Sequence, residues 1–504
     1  MSKPITPPPG LPLTLEQANE LIYKLMARIA ELEDRLNQNS NNSSKPPSTD
    51  GSGTPPARKR PASGKARGAQ PGHKGQRRER HPEDDRLTAI PHYPARQCAC
   101  CGEQVVSHDK PYRVHQVFDL PEVSYVVTEH QLYRGTCRGC VTTSEAALPD
   151  TVSHSQMGAN LLSYIALQSG QFHQSISKIQ QQLKQHFGLS FSRGAISEAQ
   201  GRVSAMLTPT HQAIKQQVQS AAIIHADETR HQRGGERRWM WLALSKVAVC
   251  FMTAFGRGQE AAKRLLGSEL DGVLVTDQYA GYRFIDSAQR QLCWAHVLRN
   301  VAAIAESSDA VNQPIGARLV LLADTVFRTR HGYEQGCLSR EQYQRRLQRC
   351  RQSWRRQLER GSVLCSKRYR GRCQLLLKDD EMLWRFMEND EIALTNNEAE
   401  RALRGYVLWR KGSYGVWSHR GEQFRQRILS LVETAKRLGR CPQEWLRAVV
   451  RSCIEKTDYP FPQGESVNIL LNFTQFFETR IEYRFQIFTA HSCDFLLPSY
   501  ARLA

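Results

Sequence analysis

The sequence lacks any run of about 18 uninterrupted apolar residues, so it predicts no membrane-spanning helix. Its opening residues, MSKPITPPPG, include no apolar segment typical of a secretory signal, which favours a cytoplasmic protein. Acidic residues are also scarce: 49 Asp and Glu stand against 69 Lys and Arg, for a formal net charge of +20. Such an excess attracts polyanions, of which nucleic acid is the commonest. In a reducing compartment, Cys pairs are interpreted as metal ligands or core residues rather than disulfides.

The N-terminal part contains two segments of different composition. Residues 1–38 carry a leucine-zipper-like helix whose apolar residues alternate at spacings of three and four: Leu15, Ala18, Ile22, Leu25, Ile29, Leu32 and Leu36. This pattern predicts a coiled coil, with a single amphipathic helix packed on the chain's own body as the alternative. Residues 39–95 are rich in Ser, Pro, Gly and Asn, with nine Lys or Arg and one acid between Arg58 and Arg80. They predict a disordered basic linker that lies on phosphates or merely keeps the chain soluble.

Residues 96–150 predict a small zinc-binding unit. Cys98 and Cys101 form one CxxC pair, and Cys137 and Cys140 form another. Four thiolates complete a tetrahedral structural Zn²⁺ site, with Cys100 as a competitor for Cys101. Between the pairs, the run VSYVVTEHQLYR predicts a strand.

Residues 151–215 predict a helical DNA-binding region. Two of its helices are joined by a short LSF turn after Gly188, which is typical of a helix-turn-helix that places its second helix in the major groove. An ordinary pair of packed helices is the alternative.

Residues 216–450 predict a mixed sheet covered by helices, with a helical insertion at about 300–390. The apolar runs AAIIHAD, WMWLALSKVAVCFMTAF and GVLVTD predict buried strands. In the insertion, fourteen Lys or Arg and three acids lie between Arg328 and Arg372, with Trp354 and Tyr369 among them. This composition favours a helical surface that follows DNA phosphates. Residues 451–504 form an aromatic-rich tail for which the sequence indicates no role.

Three acids in this region predict a site for divalent cations. Asp227 and Asp277 each follow an apolar run, and Glu400 lies near a helix start for which Asn396 or Asn397 is a candidate N-cap. Phosphodiester cleavage by two metal ions requires such oxygen ligands around one small space. Turn-forming or capping roles are the alternatives, and Glu228 and Glu398 are local rivals.

Four basic residues near Glu400 are predicted to contact the DNA backbone: Arg401, Arg404, Arg410 and Lys411. For Arg401, an ion pair with a local acid is the alternative.

Several strings together resemble the insertion-sequence-66 family of bacterial transposases. They are HADET at 225–229, TDQYAGY at 276–282, CWAH at 293–296 and NNEAERALR at 396–404, preceded by NSSKPPSTD, QPGHKGQRRER and the Cys unit. The resemblance implies a multidomain α/β protein with a ribonuclease H-like core. It also implies that Asp227, Asp277 and Glu400 form a DDE triad for two Mg²⁺ ions, with Mn²⁺ as an alternative. His296 is then expected near the active site, with a satisfied histidine at a strand-to-helix junction as the alternative.

The same resemblance implies cleavage at transposon ends by water and transfer of the freed 3′ hydroxyl to target DNA. The expected partners are double-stranded terminal repeats and target DNA, a second copy of the chain, and small accessory proteins. Family members often carry Asp where this chain has Thr395. A catalytically retired DNA-binding derivative is therefore one alternative, and a metal-dependent nuclease without strand transfer is another.

Overall fold

The computed structural model describes residues 14–39, 42–43, 92–93, 96–106, 108–111, 113–118, 125–460 and 466–467. It divides the chain into two units, residues 56–127 and the remainder, each of which is described by itself. Most of the predicted basic linker, and most of the aromatic tail beyond residue 460, lie outside the described residues. Within those ranges, no helix combines the length and apolar character needed to cross a bilayer.

Helices dominate the described residues. In chain order they are α1 (Leu15–Leu36), α2 (Ala159–Gly170), α3 (Ile176–Phe187), α4 (Arg193–Met206), α5 (Thr208–Gln219), α6 (Gln259–Leu266), α7 (Trp294–Ala305), α8 (Asn312–Glu334), α9 (Arg340–Leu364), α10 (Lys367–Lys378), α11 (Asp380–Trp384), α12 (Asn397–Ser413), α13 (His419–Arg437) and α14 (Pro442–Glu455). The strands are β1 (Arg134–Thr136), β2 (Thr143–Glu145), β3 (Ile223–Arg233), β4 (Glu236–Leu244), β5 (Val249–Ala254), β6 (Val273–Thr276), β7 (Arg290–Leu292), β8 (Tyr459–Pro460) and β9 (Ser466–Val467).

A five-stranded mixed sheet forms the centre, in the order β5–β4–β3–β6–β7. The first three strands of this sheet, β3 to β5, form an antiparallel meander, whereas β6 and β7 run parallel to β3. The predicted run WMWLALSKVAVCFMTAF thus forms two strands rather than one. Its interruption lies at Ser245–Ala248, where the Ser245 backbone N–H donates to the Ala248 carbonyl across the turn.

Alternate residues of the central strands enter two different apolar cores. Ile224 and Leu274 belong to a core shared with α2–α6 and α12–α14. Val275 belongs to a second core built by α7–α11, against which Ile223 and Val273 also pack. Strand side chains alternate between the two faces of the sheet. Helices α2–α6 and α12–α14 therefore cover apolar residues of one face, and helices α7–α11 cover those of the other.

The predicted N-terminal helix is confirmed, but its apolar residues remain exposed. No residue of α1 is buried, and Ile22, Leu25 and Ile29 are each more than half exposed. Its contact with the body is polar, because the Ser308 backbone N–H donates to Asp34 (3.0 Å). Beyond the helix, the Asn42 amide donates to Glu306 (2.9 Å). The apolar seam of α1 therefore does not pack on the described body of the chain.

The predicted helix pair α3 and α4 is present, with its turn at Gly188 in the left-handed region (φ 67°). Ser192 caps α4 by accepting from the Ala195 backbone N–H (3.1 Å). However, α4 packs against α2 and α13, and the Arg420 guanidinium donates to Ser197 on it (2.8 Å). These contacts bury Ile196, Ala199, Val203 and Ser204 of α4. DNA reading by this helix stays a prediction.

Two sequence interpretations are wrong in their details. Residues 125–133, in the run VSYVVTEHQLYR, form no strand, because they are exposed and have no partner strand within the described part of the chain. Trp354 and Tyr369 do not lie among the basic residues at the surface: they are 0% and 3% exposed and belong to the second core. Helical periodicity places them opposite the arginines with which they alternate in sequence.

Candidate active site

Asp227 and Asp277 each lie two residues beyond the last paired residues of two adjacent parallel strands. The last paired residues of β3 and β6 are His225 and Val275. Continuing that register by two residues brings Asp227 level with Asp277. Parallel strands present their carboxyl ends at one edge of a sheet, so both carboxylates reach the same edge.

The sequence had predicted Asp227 at the end of its strand, but Asp227 lies within β3. β3 continues for six more residues, to Arg233, because β4 pairs with it antiparallel through Glu236. Only the parallel partner stops at this level, since β6 ends at Thr276. Asp227 is thus held on a strand that extends on both sides, whereas Asp277 begins a loop in which its Oδ1 accepts from the Tyr279 backbone N–H (2.9 Å).

Asn396 attaches the start of α12 to β3. Its side-chain amide donates to the Ala226 carbonyl (2.8 Å), and its Oδ1 lies 3.1 Å from His225 Nδ1. Asn396 occupies the N-cap position, but its side chain makes no capping hydrogen bond, contrary to the sequence interpretation. Its 1% exposure shows that this junction is closed. Glu400, one turn into α12, is thereby fixed relative to Asp227.

The CWAH string completes the same junction. Cys293 follows β7 and its sulfur accepts from the Asn396 backbone N–H (3.1 Å). Trp294 begins α7, and its backbone N–H donates to the Leu394 carbonyl (3.0 Å). His296, in the first turn of α7, places Nδ1 3.7 Å from Glu400 Oε1. Cys293 is a buried structural thiol, and burial raises its pKa.

The electrostatics of the three acids show that they share one region. Burial raises the pKa of Asp227 well above its usual value, and the charges of Glu228, Asp277 and Glu400 raise it further. Burial and the charge of Arg299 lower the pKa of His296, opposed by Asp277 and Glu400. Asp277 and Glu400 thus act on both Asp227 and His296, and His296 is neutral near pH 7.

The two rival acids are engaged elsewhere. Glu228, adjacent to Asp227 on β3, points to the opposite face of the sheet, where it binds Arg257 (2.6 Å) and accepts from the Tyr282 hydroxyl (2.6 Å). Glu398 forms an ion pair of 2.8 Å with Arg437 of α13, which helps to lower the pKa of Glu398 against the opposing effect of burial. Neither carboxylate is therefore available to the group formed by Asp227, Asp277 and Glu400.

The donor set suits a hard divalent cation. Three carboxylates supply the oxygen ligands that Mg²⁺ prefers, and a cation would relieve the mutual repulsion that raises the pKa of Asp227. Glu400 Oε1 and His296 Nδ1 are also buried atoms that make no hydrogen bond among the described residues. In the same ranges, no three His, Cys, Asp or Glu side chains are close enough to hold a metal ion as they stand.

Three of the four predicted DNA-contacting residues are free at the surface of α12. Arg401, Arg404 and Lys411 are exposed and make no ion pair within the described residues. Arg410 differs, because its guanidinium donates to Thr229 (3.1 Å) and to the Arg230 carbonyl on β3. It therefore supports the packing of α12 against β3.

Two residues of the site were missed in the sequence. Arg299 places its guanidinium 3.8 Å from Glu400 Oε1. Its spacing of three from His296 indicates a shared helix face and was an available signal. Asn396 had been considered only as a cap, because its bond to Ala226 joins residues 170 positions apart and leaves no local pattern.

The two Cys pairs adopt the same local turn. The Cys98 carbonyl accepts from the Gly102 N–H (3.0 Å), and the Cys137 carbonyl accepts from the Val141 N–H (2.9 Å). Gly102 and Val141 both have positive φ, 76° and 62°, although a β-branched residue rarely adopts this conformation. The pairs lie in different units of the chain.

Within each pair, one thiol has a pKa below its usual value, which favours its thiolate form. The backbone N–H groups of Cys101 and Cys100 and the Cys101 thiol lower the pKa of Cys98. Thr142 and the Cys137 thiol lower the pKa of Cys140. Thiolates are the form that binds zinc. Cys98 interacts with the thiol of Cys101 but only with the backbone of Cys100, which favours Cys101 as its partner.

Comparison with known proteins matches the residues of this site as one block. The family described as "Transposase IS66 family" matches residues 154–424, a span that contains Asp227, Asp277, His296 and Glu400. The chain belongs to this family. Its membership implies transposase activity and therefore DNA binding. A second match, "zinc-finger binding domain of transposase IS66", covers residues 95–141 and all four paired Cys. Residues 11–79 match a family of unknown function.

Relatives of this family member include two proteins of Sinorhizobium fredii. "Uncharacterized protein y4hP" is 23% identical over 405 residues, which cover 73% of this chain and 72% of the relative. "Uncharacterized protein y4qI" is 24% identical over 387 residues, which cover 71% of this chain and 70% of the relative. The similarity thus extends over most of each chain, beyond the short strings that first indicated the transposase family.

Proposed function

We propose that the chain is an active DNA transposase that binds the ends of its insertion element and catalyses metal-dependent strand cleavage and strand transfer. The observation that carries this proposal is the arrangement of Asp227 and Asp277 at one level of adjacent parallel strands, with Glu400 attached to the same strand through Asn396. The sheet supports a ribonuclease H-like core, because a three-stranded antiparallel meander is extended by two parallel strands.

The proposed chemistry uses the three carboxylates as oxygen ligands for divalent cations. Two Mg²⁺ ions, or Mn²⁺, bound there would activate the attacking oxygen and stabilise the leaving oxygen of the phosphodiester. Asp227 supplies a ligand from within β3, Asp277 from the start of the loop after β6, and Glu400 from α12. His296, neutral near pH 7, orients Glu400 and hydrogen-bonds to the attacking water or 3′ hydroxyl. No protein–DNA covalent intermediate is required, so no Ser or Tyr nucleophile is assigned.

Surrounding parts of the chain are proposed to hold DNA and partners. Arg401, Arg404 and Lys411 neutralise the DNA backbone near the scissile phosphate. Cys98, Cys101, Cys137 and Cys140, in residues 96–150, are the proposed ligands of structural Zn²⁺. Residues 151–215 form the proposed DNA-binding region. The core spans 216–450 with its insertion at about 300–390, and the chain acts in the cytoplasm, with small accessory proteins as further partners.

A second copy of the chain is proposed to cover the apolar seam of α1. The heptad spacing is that of a coiled coil, and the seam is exposed along the whole helix. Charged pairs such as Lys24–Glu20 (2.6 Å) lie outside the seam.

The decisive test of the proposed function is a strand-transfer assay with purified protein, Mg²⁺ and the element's own ends. We expect cleaved and joined products from the wild type, and no products from Asp227→Asn, which should retain DNA affinity within a few fold. Cleavage without joining would favour a nuclease. DNA binding without any cleavage by the wild type would favour a retired transposase.

A further inference from the structure

Four arginines form a straight stripe on the exposed face of α9. Arg345, Arg349, Arg356 and Arg360 are separated by four, seven and four residues, which confines them to about 60° of the helix circumference. All four are exposed. The opposite face is fully packed, with Tyr343, Leu347, Trp354 and Leu358 each 0% exposed. Because the opposite face of α9 packs in the core, the helix cannot rotate, and the four arginines face away from the core.

The stripe is free of acidic partners, unlike other arginines of the same helix. Arg340 binds Asp390 (3.1 Å), Arg351 binds Asp380 (2.7 Å), and Arg355 binds Glu359 (3.1 Å). In contrast, none of the four stripe residues makes an ion pair within 4 Å of any described acid. The two acids of α9 border the stripe but are engaged elsewhere. Glu341, four residues before Arg345, accepts from the Ser339 hydroxyl (2.7 Å), and Glu359 pairs with Arg355.

The helix that carries the stripe is joined to the candidate active site through tryptophans. Trp354, at the centre of the buried face of α9, lies 5.1 Å from Trp294 between ring centroids. Trp294 also lies 5.0 Å from Trp384 and is two residues before His296 on α7. A ligand held by the stripe is therefore held at a fixed position relative to His296.

We propose that this stripe binds the phosphate backbone of duplex DNA; the inference rests on the proposed transposase function and deepens it. The four arginines extend over about 22 Å, close to two-thirds of a turn of B-DNA. Guanidinium groups match phosphate oxygens bidentately. A DNA backbone supplies evenly spaced negative charge along such a length, which an acidic protein surface does not. The stripe holds flanking DNA while Asp227, Asp277 and Glu400 act on the scissile phosphate.

The test is the salt dependence of binding to a short mixed-sequence DNA duplex, measured on the full chain without divalent cations. The double variant Arg349→Gln/Arg356→Gln removes two stripe charges. The matched control Arg340→Gln/Arg355→Gln removes two ion-paired charges from the same helix. Each phosphate contact contributes about 0.9 to the slope of log K against log salt. We expect the stripe variant to lose nearly two units of slope and the control to lose almost none.

A charge-preserving variant and a second ligand complete the experiment. Arg349→Lys/Arg356→Lys should restore most of the slope, which separates lost charge from a damaged fold. An unchanged slope in the stripe variant, an equal loss in the control, or a loss seen only with duplex RNA would overturn the proposal. Because cleavage is not measured, these outcomes are independent of whether Asp227→Asn abolishes catalysis.

Discussion

The side-chain amide of Asn396 donates a 2.8 Å hydrogen bond to the carbonyl oxygen of Ala226, the residue before Asp227. The backbone N–H of Asn396 also donates a hydrogen bond to the sulfur of Cys293, the first residue of the CWAH string. One buried residue, through its side-chain amide and its backbone N–H, therefore connects the strand of Asp227, the helix of Glu400 and the residue that precedes the helix of His296. Its position explains how residues distant in sequence keep one relative geometry.

Replacing Asn396 by Ala is predicted to impair both folding and catalysis. The Ala226 carbonyl would lose its partner in a closed junction, which lowers the free energy of unfolding by about 1–3 kcal/mol. Because the position of Glu400 relative to Asp227 would no longer be fixed, the cleavage rate should fall by at least tenfold, with little change in DNA affinity. Urea denaturation and single-turnover cleavage measure the two effects. Asn397→Ala, at an exposed neighbouring position, is the control, and equal behaviour of both variants would contradict the assignment.

The carboxylate cluster predicts a pH-dependent stability in the absence of metal. Since the folded-state pKa of Asp227 lies above its usual value, the folded protein binds this proton more tightly than the unfolded chain does. Stability is therefore predicted to decrease as pH rises from the usual Asp range toward the raised pKa. Asp227→Asn should flatten this decrease and make the metal-free protein more stable at pH 7. The measurement is urea denaturation across pH in a chelator; a variant less stable than the wild type at pH 7 would refute the prediction.

Added Mg²⁺ should reverse that difference. Neutralisation of the cluster is predicted to raise the melting temperature of the wild type by a few degrees, since ligand binding to the folded state alone is stabilising. Asp227→Asn should show a much smaller rise. Equal shifts in both proteins would place the bound cation elsewhere.

Zinc binding distinguishes the adjacent cysteines Cys100 and Cys101. Because the Cys98 thiol interacts with the Cys101 thiol but only with the Cys100 backbone, Cys101→Ser should remove most bound zinc. Cys100→Ser should retain it. Cys137→Ser should behave as Cys101→Ser does and should make residues 96–150 sensitive to protease. Zinc content by elemental analysis reports the result, and loss of zinc from Cys100→Ser alone would reassign the ligand.

Self-association should depend on the apolar seam of α1. Ile22→Glu/Ile29→Glu places charges in the seam and is predicted to convert oligomers to monomers in sedimentation equilibrium. Tyr23→Glu/Ala27→Glu adds the same charge outside the heptad positions and should leave the oligomer intact. If the wild type is monomeric, or if both variants dissociate equally, α1 does not form the contact between copies.

Local sequence patterns predicted the apolar strands that lead to Asp227 and Asp277 and the helix that carries Glu400. They did not predict the tertiary contacts that join these elements. The apolar run before Asp227 indicated a strand, yet its continuation to Arg233 depends on pairing with β4, a non-local property. Trp354 appeared among arginines in sequence, whereas helical periodicity turns it into the core. The role of Asn396 depends on a tertiary hydrogen bond, which no window of sequence contains.

The central claim is tested most directly by comparing two acids of α12 that differ only in direction. Glu400 faces His296, and Glu398 pairs with Arg437. In Mg²⁺-dependent cleavage of the element's ends, Glu400→Gln is predicted to abolish product formation while DNA affinity stays within a few fold, and Glu398→Gln to retain most activity. Cleavage by Glu400→Gln at the wild-type rate would contradict the account.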